Sequence, residues 1–207
     1  MKIFACVLLG YLIGSLSPAA LIASLKHKNL RRYGTGNLGA TNTMLTFGKR
    51  FGLPVMLFDI LKAFLAYHLA VWVAPEMTWL SMASGGAALI GHCFPFYLKL
   101  KGGKGLACFG GIVLAYDPLL FLLLLIVGVA WMILVNHSVA LPLLGAVLFA
   151  GFVALFERDV PTLILALVIC TVIVITHFGN LRCAMRGEDI LIRDYIKTKL
   201  FHKNNAD

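Results

Sequence analysis

The chain contains apolar runs that no soluble fold of its size can hide. A helix needs about 20 consecutive apolar residues to cross the hydrocarbon of a bilayer, and Ile3–Leu25 supplies that length without a charge. Further runs lie at about 51–74, 79–98, 106–135, 139–155 and 161–177. Asp117-Pro118 interrupts the longest of them, which predicts a short helix over 106–116 and a full one over 118–135. Of the 207 residues 60% are apolar and 13% charged. That leaves too little polar surface to face water all round, and it excludes a soluble globule, a disordered chain and a coiled coil. The N-terminal run continues past the length of a secretory leader, so it is read as a retained span.

These runs predict an all-α polytopic membrane protein of about seven transmembrane helices. It forms one integral-membrane domain over 1–207, with a basic tail over 182–207. Seven crossings put fifteen of the eighteen Lys and Arg on one side. Lys2 and Arg158 fall on the other, and Lys62 lies within a span. The positive-inside bias then places the N-terminus outside and the C-terminus inside. The alternative treats 106–116 as re-entrant, which gives six crossings and sends the basic tail outside. The net charge of +9 reads as cytoplasmic loops against anionic headgroups, not as a nucleic-acid surface. Cys6, Cys93, Cys108, Cys170 and Cys183 show neither CxxC nor zinc spacing, so no disulfide and no metal site are expected.

The polar, glycine-rich stretches all fall on the inner side. The first is Tyr33-Gly34-Thr35-Gly36-Asn37-Leu38-Gly39-Ala40-Thr41-Asn42, between Arg31, Arg32 and Lys49, Arg50. Glycines let backbone N–H groups approach a ligand, and Thr and Asn add neutral donors, a set that suits a phosphate. The stretch also fits GxGxxG, but it follows a membrane span and not a strand, so dinucleotide binding is rejected. The second runs from Gly91-His92-Cys93-Phe94-Pro95 to Lys101-Gly102-Gly103-Lys104-Gly105 and stands immediately before the short helix, where N–H groups and the dipole favour an anion. The third is His177-Phe178-Gly179-Asn180, whose His and Asn face one way if the helix continues. Each has a plainer reading: a flexible connector, a basic turn at the headgroups, a capping histidine.

Asp59 and Lys62 lie three apart within the second span, on one face. They are either a structural ion pair or functional. Gly10-x-x-x-Gly14 reads as a helix contact. No GxSxG elbow, no His-x4-Asp pair and no Cys–His–acid set is apparent. An enzyme built on this chain would hold anionic substrates and would not use a triad nucleophile.

Taken together, six blocks resemble the bacterial membrane acyl-phosphate:glycerol-3-phosphate acyltransferases, the PlsY family. They are Tyr11-Leu12-x-Gly14-Ser15, Gly34-Thr35-Gly36-Asn37-x-Gly39-Ala40-Thr41-Asn42, Phe58-Asp59-x-x-Lys62, Gly91-His92-x-Phe94-Pro95, Lys101-Gly102-Gly103-Lys104-Gly105 and His177-x-x-Asn180. The resemblance covers essentially the whole chain. It implies a seven-span enzyme of the bacterial inner membrane that moves a fatty acyl group from acyl phosphate to glycerol-3-phosphate, giving lysophosphatidate. It also implies no cofactor and no nucleic-acid partner, and the chain is expected to act as a monomer. Catalytic residues are then His177, Asn180 and Thr35. Substrate-binding residues are Gly36, Asn37, Gly39, Thr41, Asn42, His92, Gly102, Gly103 and Lys104. The chain departs from the family where Thr35 replaces a serine and Leu38 a proline, where Leu45 and Cys183 stand at arginine positions, and where Cys108 replaces a threonine and Asp189 a glutamate. The lost arginines leave three readings: a weaker enzyme, a divergent copy with another acceptor, or a chain in which Arg182 or Arg186 substitutes.

Overall fold

The structure is a computed structural model that describes residues 1–188 together with 191 and 193. Among these residues there is no strand. The helices are α1 (Lys2–Ser15), α2 (Pro18–Leu25), α3 (Ala40–Phe47), α4 (Lys49–Val73), α5 (Thr78–Cys93), α6 (Leu106–Tyr116), α7 (Pro118–Val135), α8 (Ala140–Phe156) and α9 (Val160–Met185). Single 3-10 turns occupy Leu30–Arg32 and Phe96–Leu98. Four segments are long and apolar enough to cross a membrane: Lys2–Leu25, Lys49–Val73, Pro118–Val135 and Val160–Met185. α6 and α8 are apolar but shorter.

The breaks follow from side chains that offer the backbone an alternative. Asp117 Oδ1 accepts from Leu119 N–H at 2.8 Å and Leu120 N–H at 2.9 Å, and Pro118 needs no partner at the first helical position. This is the expected interruption of the 106–135 run. Ser17 caps α2 in the same way, accepting from Ala20 N–H at 3.2 Å, with Pro18 behind it.

Four expectations are corrected here. The first apolar run is two helices, because Ser17-Pro18 restarts it. The third stops at Cys93 and not at 98, since the residue before Pro95 is pushed out of helical geometry. The glycine stretch is not all loop: it ends at Gly39, and Thr41 and Asn42 lie in the first turn of α3. The last helix runs on past His177 to Met185 before Gly187, at φ +69, turns the chain away.

α1 packs along α5 and α4, α4 also meets α6, α5 meets α9, and α8 lies between α7 and α9. Small residues permit the closest approach. A Cβ on Gly10 would strike the Ser84 carbonyl, one on Gly14 the Ala88 carbonyl, and one on Gly91 the Tyr11 carbonyl. The Gly10-x-x-x-Gly14 motif is therefore a seam between α1 and α5, as expected. The largest buried cluster joins Met82, Leu89, Phe109, Ile112 and Phe149, with Phe109 and Phe149 edge to face at 5.6 Å. Outward positions such as Leu119, Leu123, Ile126 and Leu134 stay exposed and apolar, as a lipid-facing surface requires.

Candidate active site

Three sequence-distant stretches meet at one end of the bundle. Leu38 N–H donates to the Gly102 carbonyl at 3.2 Å, joining the first glycine stretch to the second. Arg31 strengthens the join by donating to the carbonyls of Lys101 at 2.6 Å and Leu98 at 3.1 Å. The second stretch is tied to the third by Lys104, whose ammonium donates to Asn180 Oδ1, and by Thr176 Oγ1, which donates to the Lys104 carbonyl at 2.8 Å.

Within the first stretch the chain turns through Gly34 and Gly36, whose positive φ values of 53° and 71° favour glycine. Asn42 holds this turn from inside. Its Oδ1 accepts from Thr35 N–H at 2.9 Å, and its Nδ2 donates to the carbonyls of Leu30 at 2.8 Å and Asn37 at 2.7 Å. Its side chain is fully buried. Thr35 Oγ1 donates to Asn37 Oδ1 at 3.1 Å.

The second stretch is pressed onto the end of α5. Gly102 N–H donates to the Cys93 carbonyl at 2.9 Å and Gly103 N–H to the His92 carbonyl at 3.1 Å. There is no room for side chains: a Cβ on Gly102 would meet the His92 carbonyl, and one on Gly103 would fall on His92 Nε2.

A cavity of about 350 Å³ opens between these stretches. Its polar end is lined by Thr35, Asn37, Lys104, His177 and Asn180, and by the first residues of α3 and α6. Two helix N-termini therefore border one space, which favours negative charge there. Burial lowers the Lys104 ammonium from the ordinary lysine value of 10.5. The Lys104 side chain is half-buried. The other end of the cavity is apolar, walled by Phe109, Val113, Phe121, Leu124 and Leu141. His177 Nδ1 lies 2.9 Å from the Ile173 carbonyl. A carbonyl only accepts, so Nδ1 carries the proton, and in the neutral form of the ring Nε2 is the acceptor.

Of the residues expected at the site, Thr35, Asn37, Gly39, Thr41, His92, Lys104, His177 and Asn180 line the cavity. Gly36, Asn42, Gly102 and Gly103 lie behind its wall, where they set the backbone course. Arg182 does not reach the cavity either; it stacks on Phe178 with its guanidinium carbon 4.5 Å from the ring centre. Asp189 lies outside the described residues.

A family model described as glycerol-3-phosphate acyltransferase matches residues 4–187. The chain belongs to the glycerol-3-phosphate acyltransferase family. It is 35% identical over 192 residues to the glycerol-3-phosphate acyltransferase of Aquifex aeolicus (strain VF5), covering 91% of this chain and 98% of that one. To the protein of the same name from Staphylococcus aureus (strain JH9) it is 31% identical over 201 residues, covering 93% and 99%. It is also similar to two crystal structures of PlsY, an integral membrane glycerol 3-phosphate acyltransferase. The glycerol 3-phosphate form superposes with a TM-score of 0.87 at 29% identity, covering 93% of this chain and 96% of that one. The lysophosphatidic acid form gives 0.84 at 28%, covering 92% and 95%.

Within this acyltransferase fold the structure also gathers residues that the linear reading left apart. Asp59 of α4, His92 of α5 and Cys108 of α6 are all buried, and each offers an atom within 4.8 Å of the others. No such set is apparent along the chain, because the three come from three helices and no spacing could show them. All five cysteines are free, with only Cys183 exposed. Arg31, which clamps the two glycine stretches, was also missed. Its signal was no more than its place beside the first stretch.

Proposed function

We propose that this acyltransferase uses acyl phosphate as donor and glycerol-3-phosphate as acceptor, releasing lysophosphatidate and inorganic phosphate. The observation that carries the reading is the two-ended cavity, with cationic and N–H-rich surface at one end and apolar wall at the other. That combination fits a ligand with a phosphate head and a fatty chain.

The polar end holds the phosphates through Lys104, Asn180, Thr35, Asn37 and the N–H groups at Gly39–Thr41. The acyl chain lies along Phe109, Val113 and Leu124. The acceptor hydroxyl attacks the acyl carbon, an ester C–O bond forms, and the bond to the phosphate oxygen breaks. Phosphate is a good leaving group, so no protein nucleophile is needed. The hydroxyl proton passes to a phosphate oxygen, while His177 Nε2 accepts a hydrogen bond from the acceptor's other hydroxyl and so orients the molecule. A neutral imidazole acceptor suits a hydroxyl better than an anion, which separates His177 from the phosphate-holding set. Asn42, Gly36, Gly102 and Gly103 act by shaping the walls.

The same reading takes the chain as one membrane domain over 1–207, crossing seven times in the bacterial inner membrane and working as a monomer. The N-terminus is outside, and the tail over 182–207 is cytoplasmic. The basic residues at the cavity end support that orientation.

The test is acyl transfer by the purified protein in liposomes. Lysophosphatidate is expected from acyl phosphate with glycerol-3-phosphate, and none from acyl-CoA. Movement of a phosphate ester across the liposome with no lysophosphatidate formed would overturn the enzyme reading.

A further inference from the structure

Four polar groups, Asp59, Lys62, His92 and Cys108, lie together among α4, α5 and α6; Asp59 and His92 border the cavity, and the mechanism above uses none of the four. Lys62 Nζ lies 2.6 Å from Asp59 Oδ1 and 3.0 Å from His92 Nδ1, and it donates to the Leu16 carbonyl at 2.8 Å. Lys62 and Asp59 are 3% and 2% exposed. Asp59 Oδ1 accepts no well-aligned hydrogen bond among the described residues. Its charge is balanced by the ammonium, and His92 Nδ1 lies 3.3 Å away. With Cys108 alongside, the donors of Asp59 and His92 form the kind of group that holds a divalent cation. Here the ammonium of Lys62 stands against two of those donors and takes the place of the ion.

A lysine there does more than neutralise a carboxylate. Its three N–H donors reach the end of α1, α4 and α5 at once. An ammonium has no acceptor, so the contact to His92 makes Nδ1 the acceptor and fixes the ring's orientation. The opposite edge of that ring is the floor beneath Gly103: Nε2, Cε1 and Cδ2 are the three atoms nearest a Cβ built there. Gly103 also hangs from the His92 backbone carbonyl at 3.1 Å, and Lys104 follows it. Asp59 itself borders the cavity, so an unneutralised carboxylate would repel an anionic ligand.

We propose that Lys62 is a positioning residue. Its buried ammonium acts as a built-in cation that orients His92 and so fixes the Lys101-Gly102-Gly103-Lys104-Gly105 turn at the height needed to hold a phosphate. The inference rests on the reading of the cavity as an acyltransferase site for its kinetic arm only. The arrangement is a helix-to-loop relay: Lys62 on α4, His92 on α5, then the turn.

The decisive variant is the neutral pair Asp59→Asn with Lys62→Met, set beside Lys62→Met alone. The single change leaves a buried carboxylate unpaired and is expected to lower the thermal unfolding midpoint. The double change removes that penalty and keeps the volume, so stability returns. A pair that served only to hold α4 would then show ordinary kinetics. A positioning lysine predicts otherwise: in the double variant KM for at least one of the two phosphate substrates stays raised about 10-fold or more, with kcat within about threefold. Hydrogen–deuterium exchange in the double variant is expected to be faster over 101–105 and unchanged in α9. KM values for both substrates within twofold of the parent, or unchanged exchange over 101–105, would overturn the proposal. If the parent protein transfers no acyl group, the exchange experiment still decides the role of Lys62, and only the functional reading falls.

Discussion

Lys104 and Asn180 are joined side chain to side chain, the ammonium donating to the amide oxygen across 76 positions of sequence. The bond ties the glycine turn before α6 to the cavity end of α9. It leaves the remaining ammonium protons for a ligand, and it orients the Asn180 amide so that its NH2 is free to donate. One cation therefore both closes the protein side of the site and opens its ligand side.

Replacing Lys104 by Ala is expected to weaken substrate binding by about 1.5–3 kcal/mol, the range for a hydrogen bond to a charged group, or roughly 10- to 150-fold in KM. Arginine should restore only part of it, because a planar fork does not reproduce a point charge in a glycine cradle. Lys49, exposed at the start of α4, is the control, and Lys49→Ala should leave kinetics alone. Steady-state kinetics at limiting substrate reads all three. Full activity in Lys104→Ala would remove the phosphate from this end of the cavity.

Burial lowers the Lys104 pKa, so in the free enzyme its charge is lost at lower pH than that of a surface lysine. The sign follows directly. The protonated form holds the anion, so kcat/KM should fall as pH rises, on a limb that begins below 10.5. Lys104→Arg should move that limb upward out of range while lowering the plateau. A pH profile of kcat/KM for the two proteins checks it.

Gly103→Ala should raise KM about 10-fold or more, because its new methyl falls on His92 Nε2 and the turn must lift away from the cavity. The comparison is Gly151→Ala on α8, where a Cβ meets nothing within 4 Å. That change should leave KM unchanged and raise stability by up to about 1 kcal/mol, the cost of glycine in a helix. Kinetics and thermal unfolding of the pair separate a steric effect at the turn from a general intolerance of glycine replacement.

Asn42→Ala should cost about 1–3 kcal/mol of stability for each buried backbone group left without a partner. The groups concerned are Thr35 N–H and the carbonyls of Leu30 and Asn37. Activity should fall through KM, since Thr35 and Asn37 line the cavity and their loop would loosen. Unchanged stability with lost turnover would instead give Asn42 a direct part in the chemistry.

Cys183 is the only exposed cysteine, so a membrane-impermeant maleimide should label this position alone. In intact cells no labelling is expected until the membrane is opened, because the proposed orientation puts the end of α9 in the cytoplasm. Labelling without permeabilisation would mean an even number of crossings and an outward-facing site.

Much of the site was legible because its residue types are unusual for their surroundings. Asn37, Lys104 and Asn180 stand out in a chain so apolar, and glycine clusters beside cations have few uses at a membrane. What the sequence did not reveal were the residues behind the wall. Asn42 looks like a ligand-facing amide in the linear text, yet its three bonds all turn inward. Arg31 looks like one more headgroup cation, yet it clamps two carbonyls of the neighbouring stretch.

The sequence by itself determined the solvent, the helical class and the helix breaks. Apolar length sets the first two, and Ser17-Pro18, Asp117-Pro118 and Phe94-Pro95 set the third by local chemistry, although the linear reading picked out only Asp117-Pro118. Tertiary structure alone decided which polar groups share a space. His92 meets the Asp59–Lys62 pair because Gly10, Gly14 and Gly91 let α1 and α5 approach closely and α4 packs against both. Contacts between helices depend on distance in space and not on spacing along the chain, so no periodicity could have announced them.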